Sequence, residues 1–251
     1  TGGMRPAGIP AAAVSAESAD LIAGLAARGR VRMRLTLTPR SLPDAVTYNV
    51  IGDLKGSEHP EQVVVVSGHL DSWDVGTGAL DDGAGLVMAL QAAQVLRQLN
   101  LRPRRTIRVI AWAAEEVGLV GARTYAREHA AELGDHVAAI ESDTGAGHAL
   151  GFLANTSGQA LPLLRPVTKV LESSGANLIK TEGEPAPDLI PLRDAGVPSF
   201  LLLLDERDFY YYHHTAADTL DKVRPGDLAE DSAAVAVLAY ALANMAQPLP
   251  R

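Results

Sequence analysis

Four consecutive valines, Val63–Val66, lead straight into the polar, glycine-rich segment GHLDSWDVGTGALDDGAG at 68–85. A short apolar run bounded by turn residues predicts a strand buried on both faces. After it, Leu86, Met88, Ala89, Leu90, Ala93, Val95, Leu96 and Leu99 recur at helical spacing, predicting a helix over 82–99 that the LRPRR loop stops. The alternation continues with RTIRVIAW (105–112) as a strand and GLVGARTYAREHAAEL (118–133) as a helix. HVAAIES (136–142) and HALGFLA (148–154) are strands, and LPLLRPVTKVLESSG (161–175) is a helix opened or kinked by Pro166. PSFLLLL (198–204) is one more buried strand, and residues 227–246 form a closing helix with Ala and Val on its buried face. Upstream, Ser15 is an N-cap for an Ala-rich helix ending near Gly29. VRMRLTLT (31–38) alternates as an exposed or edge strand does, and TYNVIGDL (47–54) reads as another. Buried strands alternating with helices argue for an α/β fold, a sheet covered by helices on both faces, in which ligands gather at the carboxyl ends of the strands.

Composition narrows the functional classes. With 251 residues and 47% hydrophobic content the chain can bury a substantial core. The net charge is −8, and the 22 Lys and Arg are scattered rather than clustered, which argues against a nucleic-acid partner. The longest wholly apolar stretch, Ala233–Ala243, falls far short of the ~20 residues that span a bilayer. Cysteine is absent, so thiolate catalysis, Cys-ligated zinc and disulfides are excluded, and any metal must sit on His, Asp and Glu. The chain begins at Thr1 and shows no signal peptide, which fits a mature secreted form or, as the better reading, a fragment.

The polar motifs each follow a buried strand. His69 and Asp71 come after the valines, Glu115 and Glu116 after RVIAW, Asp143 after HVAAIES, and His213 and His214 a few residues after SFLLLL. Strand ends of one sheet converge, and carboxylates gathered in one partly dry cleft repel one another unless a cation joins them. His with Asp and Glu, and no thiolate, suits zinc, with cobalt or manganese as substitutes. Asp81, on a glycine-rich turn, is placed to bridge two ions ~3.5–4 Å apart. Asp71 is a natural acceptor for the other ring N–H of His69. Of Glu115 and Glu116, which leave the strand in different directions, one can ligate metal while the other takes a proton from water.

Each motif alone has an ordinary reading: a solvated histidine, a DDG turn or cap, an AEE helix start. Their order, each behind its own strand, is what favours a metal site. His59, His129, His136 and His148 are read as surface or packing residues and Asp74 as a loop or cap residue. GTGALD begins like a dinucleotide loop but carries Asp81 where the third glycine belongs. A single DTG at 143–145 does not make an aspartic protease, and no G-x-S-x-G elbow is present.

Taken together, GHLDSWDVGTGALDDGAG, AEEVGLVGARTYA, ESDTG and YHHTAADT resemble the zinc-dependent M28 aminopeptidase family over residues 47–246, and HLDSWD resembles its plasma glutamate carboxypeptidase (carboxypeptidase Q) branch. The resemblance implies a three-layer α/β/α sandwich around a mixed, mostly parallel sheet, and two zinc ions per chain. It implies His69, Asp81, Glu116, Asp143 and His214 as metal ligands, with Asp81 shared, and a cis peptide between Asp81 and Asp82. His214 is preferred over His213 because the family's pattern runs His, three residues, Asp-Thr. Glu115 would be the general base, Asp71 the orienting residue, and a tyrosine among Tyr210–Tyr212 an aid to the oxyanion. The activity implied is hydrolysis of the N-terminal peptide bond of dipeptides or short peptides, in a secreted or periplasmic enzyme with a homodimer as its assembly. Residues 1–40 read as a lead-in, the tail of a protease-associated insert, and 41–251 as the catalytic domain. Two other readings share the fold: a glutaminyl-cyclase-like zinc acyltransferase, and a non-catalytic interaction module.

Overall fold

The computed structural model describes residues 9, 11–38, 40 and 42–251. The described residues up to Val46 form one unit and Thr47–Arg251 another. In the first, α1 (Ala16–Ala26) begins at Ser15, whose hydroxyl accepts the Ser18 N–H at 3.2 Å, as a capping serine does. The helix buries none of its residues. The strand expected at 31–38 does not form. Alternation supplies the side-chain pattern of a strand, but its backbone groups need a neighbouring strand, and none pairs with these residues among those described.

In the larger unit the elements run β1 (Val50–Leu54), β2 (His59–His69), α2 (Ala84–Gln98), β3 (Arg105–Trp112), α3 (Val120–Glu128), β4 (His136–Glu141), β5 (Ala149–Asn155), α4 (Leu161–Leu171), β6 (Leu178–Lys180), α5 (Ile190–Asp194), β7 (Ser199–Leu204), α6 (Phe209–Tyr212) and α7 (Pro225–Asn244). The sheet has seven strands in the order β1-β3-β2-β4-β7-β5-β6. The central four, β3, β2, β4 and β7, are mutually parallel. β1 runs antiparallel to β3 and β5 antiparallel to β7, and β6 is parallel to β5. This is the mixed, mostly parallel sheet that was expected.

The valine run shows why the sheet lies between two helical layers. Val64 and Val66 pack with Met88 of α2, Leu164 of α4 and Leu238 of α7. Val63 and Val65 face the other way, into a cluster with Trp112, Tyr125 of α3 and Leu192 of α5. Side chains alternate across a strand, so a strand apolar at every position serves two cores. The chain goes from β2 to β3 on one side and then returns past β2 to β4, which makes the carboxyl ends of β2 and β4 the switch point where such sheets bind ligands.

Several boundaries differ from the sequence pattern. α2 starts at Ala84 because Asp81 and Asp82 hold non-helical dihedrals. α3 ends at Glu128, and the rest of the expected helix becomes turns that run into a short 3-10 helix, Leu133–Asp135. Pro166 stays inside an unbroken α4, on its exposed face, where water can take the carbonyl its ring leaves unbonded. β6 and α5, three and five residues long, are too short for periodicity to reveal. His136 is a packing residue: its Nε2 lies 2.7 Å from the Tyr125 hydroxyl. His59, His129 and His148 are partly exposed beside Glu61, Glu132 and Glu230.

Candidate metal centre

β2 delivers His69 to the switch point with its side chain 1% exposed. Its Nε2 lies 3.2 Å from Asp81 Oδ1 and 3.3 Å from Asp143 Oδ1. On the other side of the same Asp81 carboxylate, Oδ2 lies 3.1 Å from His214 Nε2, which is itself 3.1 Å from Glu116 Oε2. One carboxylate therefore has His69 against one oxygen and His214 against the other, with Asp143 beside the first imidazole and Glu116 beside the second. Donor atoms close enough to share an ion occur in the sets His69/Asp81/Glu116, His69/Asp82/Asp143 and Asp81/His213/His214. His213 also reaches Asp81 Oδ2, at 3.4 Å, but its ring stacks on His214 at 3.7 Å and contacts Phe209. His214 touches two carboxylates and His213 one, so His214 completes the second donor set better.

Electrostatics calls for a cation at this point. Burial alone would lower the pKa of His69, but Asp143 and Asp81 at its Nε2, with Asp82 nearby, override it and push it well up. Burial also raises Asp143, with Asp81 adding to it against His69, and raises Glu116, again with Asp81. Burial pushes Asp81 the same way, yet its hydrogen bond to His69 and the charges of the three histidines hold it below the usual carboxylate range. The buried Glu116 Oε1 has no hydrogen-bond partner. Carboxylates around imidazole nitrogens, with an orphaned oxygen among them, fit a divalent ion of the zinc type.

The supporting shell is built of side chains that take backbone N–H groups. The Asp82 carboxylate accepts from His69 N–H and Gly85 N–H, both at 3.0 Å. A Cβ on Gly85 would fall 2.0 Å from Ser142 O and 2.3 Å from Asp82 Oδ1, so only glycine leaves room for that carboxylate. With both bonds made to backbone, Asp82 is committed to holding His69 rather than to ligation. The peptide between Asp81 and Asp82 is cis, as the resemblance implied. Asp71 differs from its expected role in one atom: His69 Nδ1 donates to the Asp71 main-chain carbonyl at 2.8 Å, and the carboxylate lies 3.9 Å away. That carboxylate instead accepts Glu115 N–H at 2.9 Å and Glu116 N–H at 3.2 Å. The residue turns toward the acidic loop because two peptide donors there outbid a ring already served by its own carbonyl.

Over 49–239 the chain matches the family model of peptidase family M28. The chain belongs to peptidase family M28. Carboxypeptidase Q from Pongo abelii is 36% identical over 97% of the chain and 52% of its own length, and the Homo sapiens protein is 35% identical with the same coverage. The chain thus spans about half the length of the relatives it matches. Among solved structures, a peptidase M28 precursor from Shewanella amazonensis is 43% identical with a TM-score of 0.76, covering 81% of this chain and 47% of that one. A zinc aminopeptidase from Bacillus subtilis is 27% identical with a TM-score of 0.61, over 75% of this chain and 49% of its own.

In this M28 chain the donor groups open onto a cleft of about 370 Å³ whose walls include Trp73, Glu115, Leu119 and Pro187. Burial pushes Glu115 up to about 7, His69 opposing and the carboxylates of Asp143, Glu116 and Asp71 assisting. None of Tyr210, Tyr211 and Tyr212 lines that cleft: the first two are exposed, and Tyr212 lines a separate cavity of about 230 Å³. The motif reading overlooked Asp218, whose carboxylate accepts Leu80 N–H at 2.7 Å and Asp81 N–H at 3.2 Å. Its signal was its place in YHHTAADT, next to the histidines. Asp188 was also missed; it is fully buried, and burial with the charges of Glu141 and Glu115 raises it well above the ordinary value.

Proposed function

We propose that the protein is a zinc-dependent exopeptidase that holds two ions per chain and hydrolyses the N-terminal peptide bond of dipeptides or short peptides. The observation that carries this reading is the shared carboxylate of Asp81, with His69 on one oxygen and His214 on the other. His69, Asp81 and Asp143 would hold one ion, and Asp81, Glu116 and His214 the other. Bound zinc would supply the Lewis acidity that makes water acidic near neutral pH and polarises a peptide carbonyl. Glu115, in the same cleft and with its carboxyl pushed up to about 7 by burial, takes the proton of the attacking water and returns it to the leaving amine. The Asp71 carboxylate keeps that loop in place through the Glu115 and Glu116 amides. A secreted or periplasmic setting, assembly as a homodimer, and residues 1–40 as the tail of an inserted domain complete the proposal. No helix among the described residues is long and apolar enough to cross a membrane.

The test is a panel of free and N-blocked dipeptides, assayed with zinc and then with a chelator. Zinc-dependent cleavage of the free peptides alone is expected. Equal cleavage of blocked peptides, or activity that survives chelation, would overturn the reading.

A further inference from the structure

Glu115 and Glu116 sit on a loop, residues 113–121, that leaves β3 and enters α3. Inside the loop, Gly118 and Leu119 N–H both donate to Glu115 O, Val120 N–H to Ala114 O and Gly121 N–H to Ala113 O. Ala114 and Leu119 have φ of 58° and 57°, a left-handed backbone that residues with a Cβ adopt only when surrounding structure holds them there. The pair Ala113–Gly121 is the neck of this loop. Gly121 donates to Ala113 across the neck, but Ala113 N–H and Gly121 O do not bond each other.

Both of those groups are taken by one side chain. Asn49 Oδ1 accepts Ala113 N–H at 3.0 Å, and Asn49 Nδ2 donates to Gly121 O at 3.0 Å. The carboxamide is inserted between the two backbones as an extra peptide group. The sheet delivers it: β1 pairs with β3 with Val50 opposite Ala111, so the residue before Val50 lies beside the end of β3, where the loop begins. Gly121 is fitted to the insertion, since a Cβ there would fall 2.2 Å from Asn49 Oδ1 and 2.7 Å from Ala113 N. Asp71 pins the tip of the same loop at the Glu115 and Glu116 amides.

We infer that Asn49 is a positioning residue for both acidic residues, closing the neck so that Glu115 is aimed into the cleft and Glu116 at the second donor set. This rests on the roles given to Glu115 and Glu116 in the proposed function. Its neutrality suits the task, because the carboxamide offers both N–H donors and an acceptor oxygen where a carboxylate offers only acceptors.

The test compares Asn49→Ala and Asn49→Asp with Asn244→Ala. Asn244 also bridges two backbone groups, Arg104 N–H and Tyr240 O, but at the far end of β3 and α7. Zinc affinity is read by competition with a chromogenic chelator, turnover with a cleaved dipeptide, and stability by thermal unfolding. Asn49→Ala is expected to weaken binding of one zinc equivalent and to lower kcat, each by roughly 10–100-fold, as loss of a ligand's supporting partner does. KM should change little. Asn244→Ala should lower the melting temperature and leave kcat and zinc affinity at wild-type values. Asn49→Asp keeps the Ala113 bond and sets a carboxylate against Gly121 O; it carries the comparison if the alanine variant does not fold. Wild-type kcat and zinc affinity in the Asn49 variants, with only a stability loss like that of Asn244→Ala, would overturn the inference. If the wild-type protein cleaves no dipeptide, the proposed function fails, and the zinc competition still decides the role of Asn49.

Discussion

Asp81 and Asp231 are both almost wholly buried, yet the fold surrounds them in opposite ways. Asp81 stands among three imidazoles, with its own N–H held by Asp218. Asp231, on α7, has neither carboxylate oxygen bonded. Burial and the like charges of Asp227 and Glu230 push it up to about 8. A carboxylate among cationic partners keeps its charge when buried, whereas one among apolar atoms and other acids holds a proton instead. The strand ends are thus built to concentrate negative charge for a cation, and α7 merely endures one acid.

The harshest way to break that comparison is Asp81→Ala. It removes the oxygen pair that both donor sets share, so metal analysis after dialysis should find neither zinc bound and hydrolysis should vanish. Two ions retained would show that Asp81 is not the bridge. Glu115→Ala tests the next step: metal content should stay at the wild-type level while kcat falls by about 10³-fold. Full turnover in that variant would remove Glu115 from the proton path. Asp218→Ala leaves every donor in place but frees the Leu80 and Asp81 amides, so zinc affinity should weaken by about 10–100-fold in a chelator competition.

The smallest effect lies on the other side of the comparison. The folded-state pKa of Asp231 lies above its ordinary value of 3.8, so the unfolded chain ionises first as pH rises. The resulting destabilisation is absent below about pH 4, grows between about 4 and 8, and levels off above that. Asp231→Asn removes it, so the variant should gain stability over wild type by on the order of 1–3 kcal/mol at pH 8 and almost nothing at pH 4. Chemical denaturation at both values measures it; a gain independent of pH would mean that ionisation of Asp231 is not the cause.

How far the chain can be read without its fold differs by element. The strands around Val63–Val66, Ile107–Trp112 and Phe200–Leu204 and the helices α2 and α7 announce themselves, because local periodicity records which faces are buried. The stretch 31–38 has the periodicity of a strand but no partner strand among the described residues, and β6 has a neighbour but too few residues to show a pattern. The imidazoles and carboxylates that meet at the strand ends were legible as types in order behind their strands. Asp71 was legible as a supporting residue but not which of its atoms did the supporting, and Asn49 and Asp218 were not legible as supports at all. Their partners are backbone amides and carbonyls, which every residue carries and no motif records.

The sequence by itself determined the layered α/β plan, the exclusion of cysteine chemistry, and the set of imidazoles and carboxylates available to a metal, because these depend on residue types and local spacing. Only the tertiary structure decided that one oxygen of Asp81 faces His69 and the other His214, and that Asn49 and Asp71 grip the acidic loop at its neck and tip. Those contacts join strand ends distant along the chain, and their geometry is set by sheet register and loop closure.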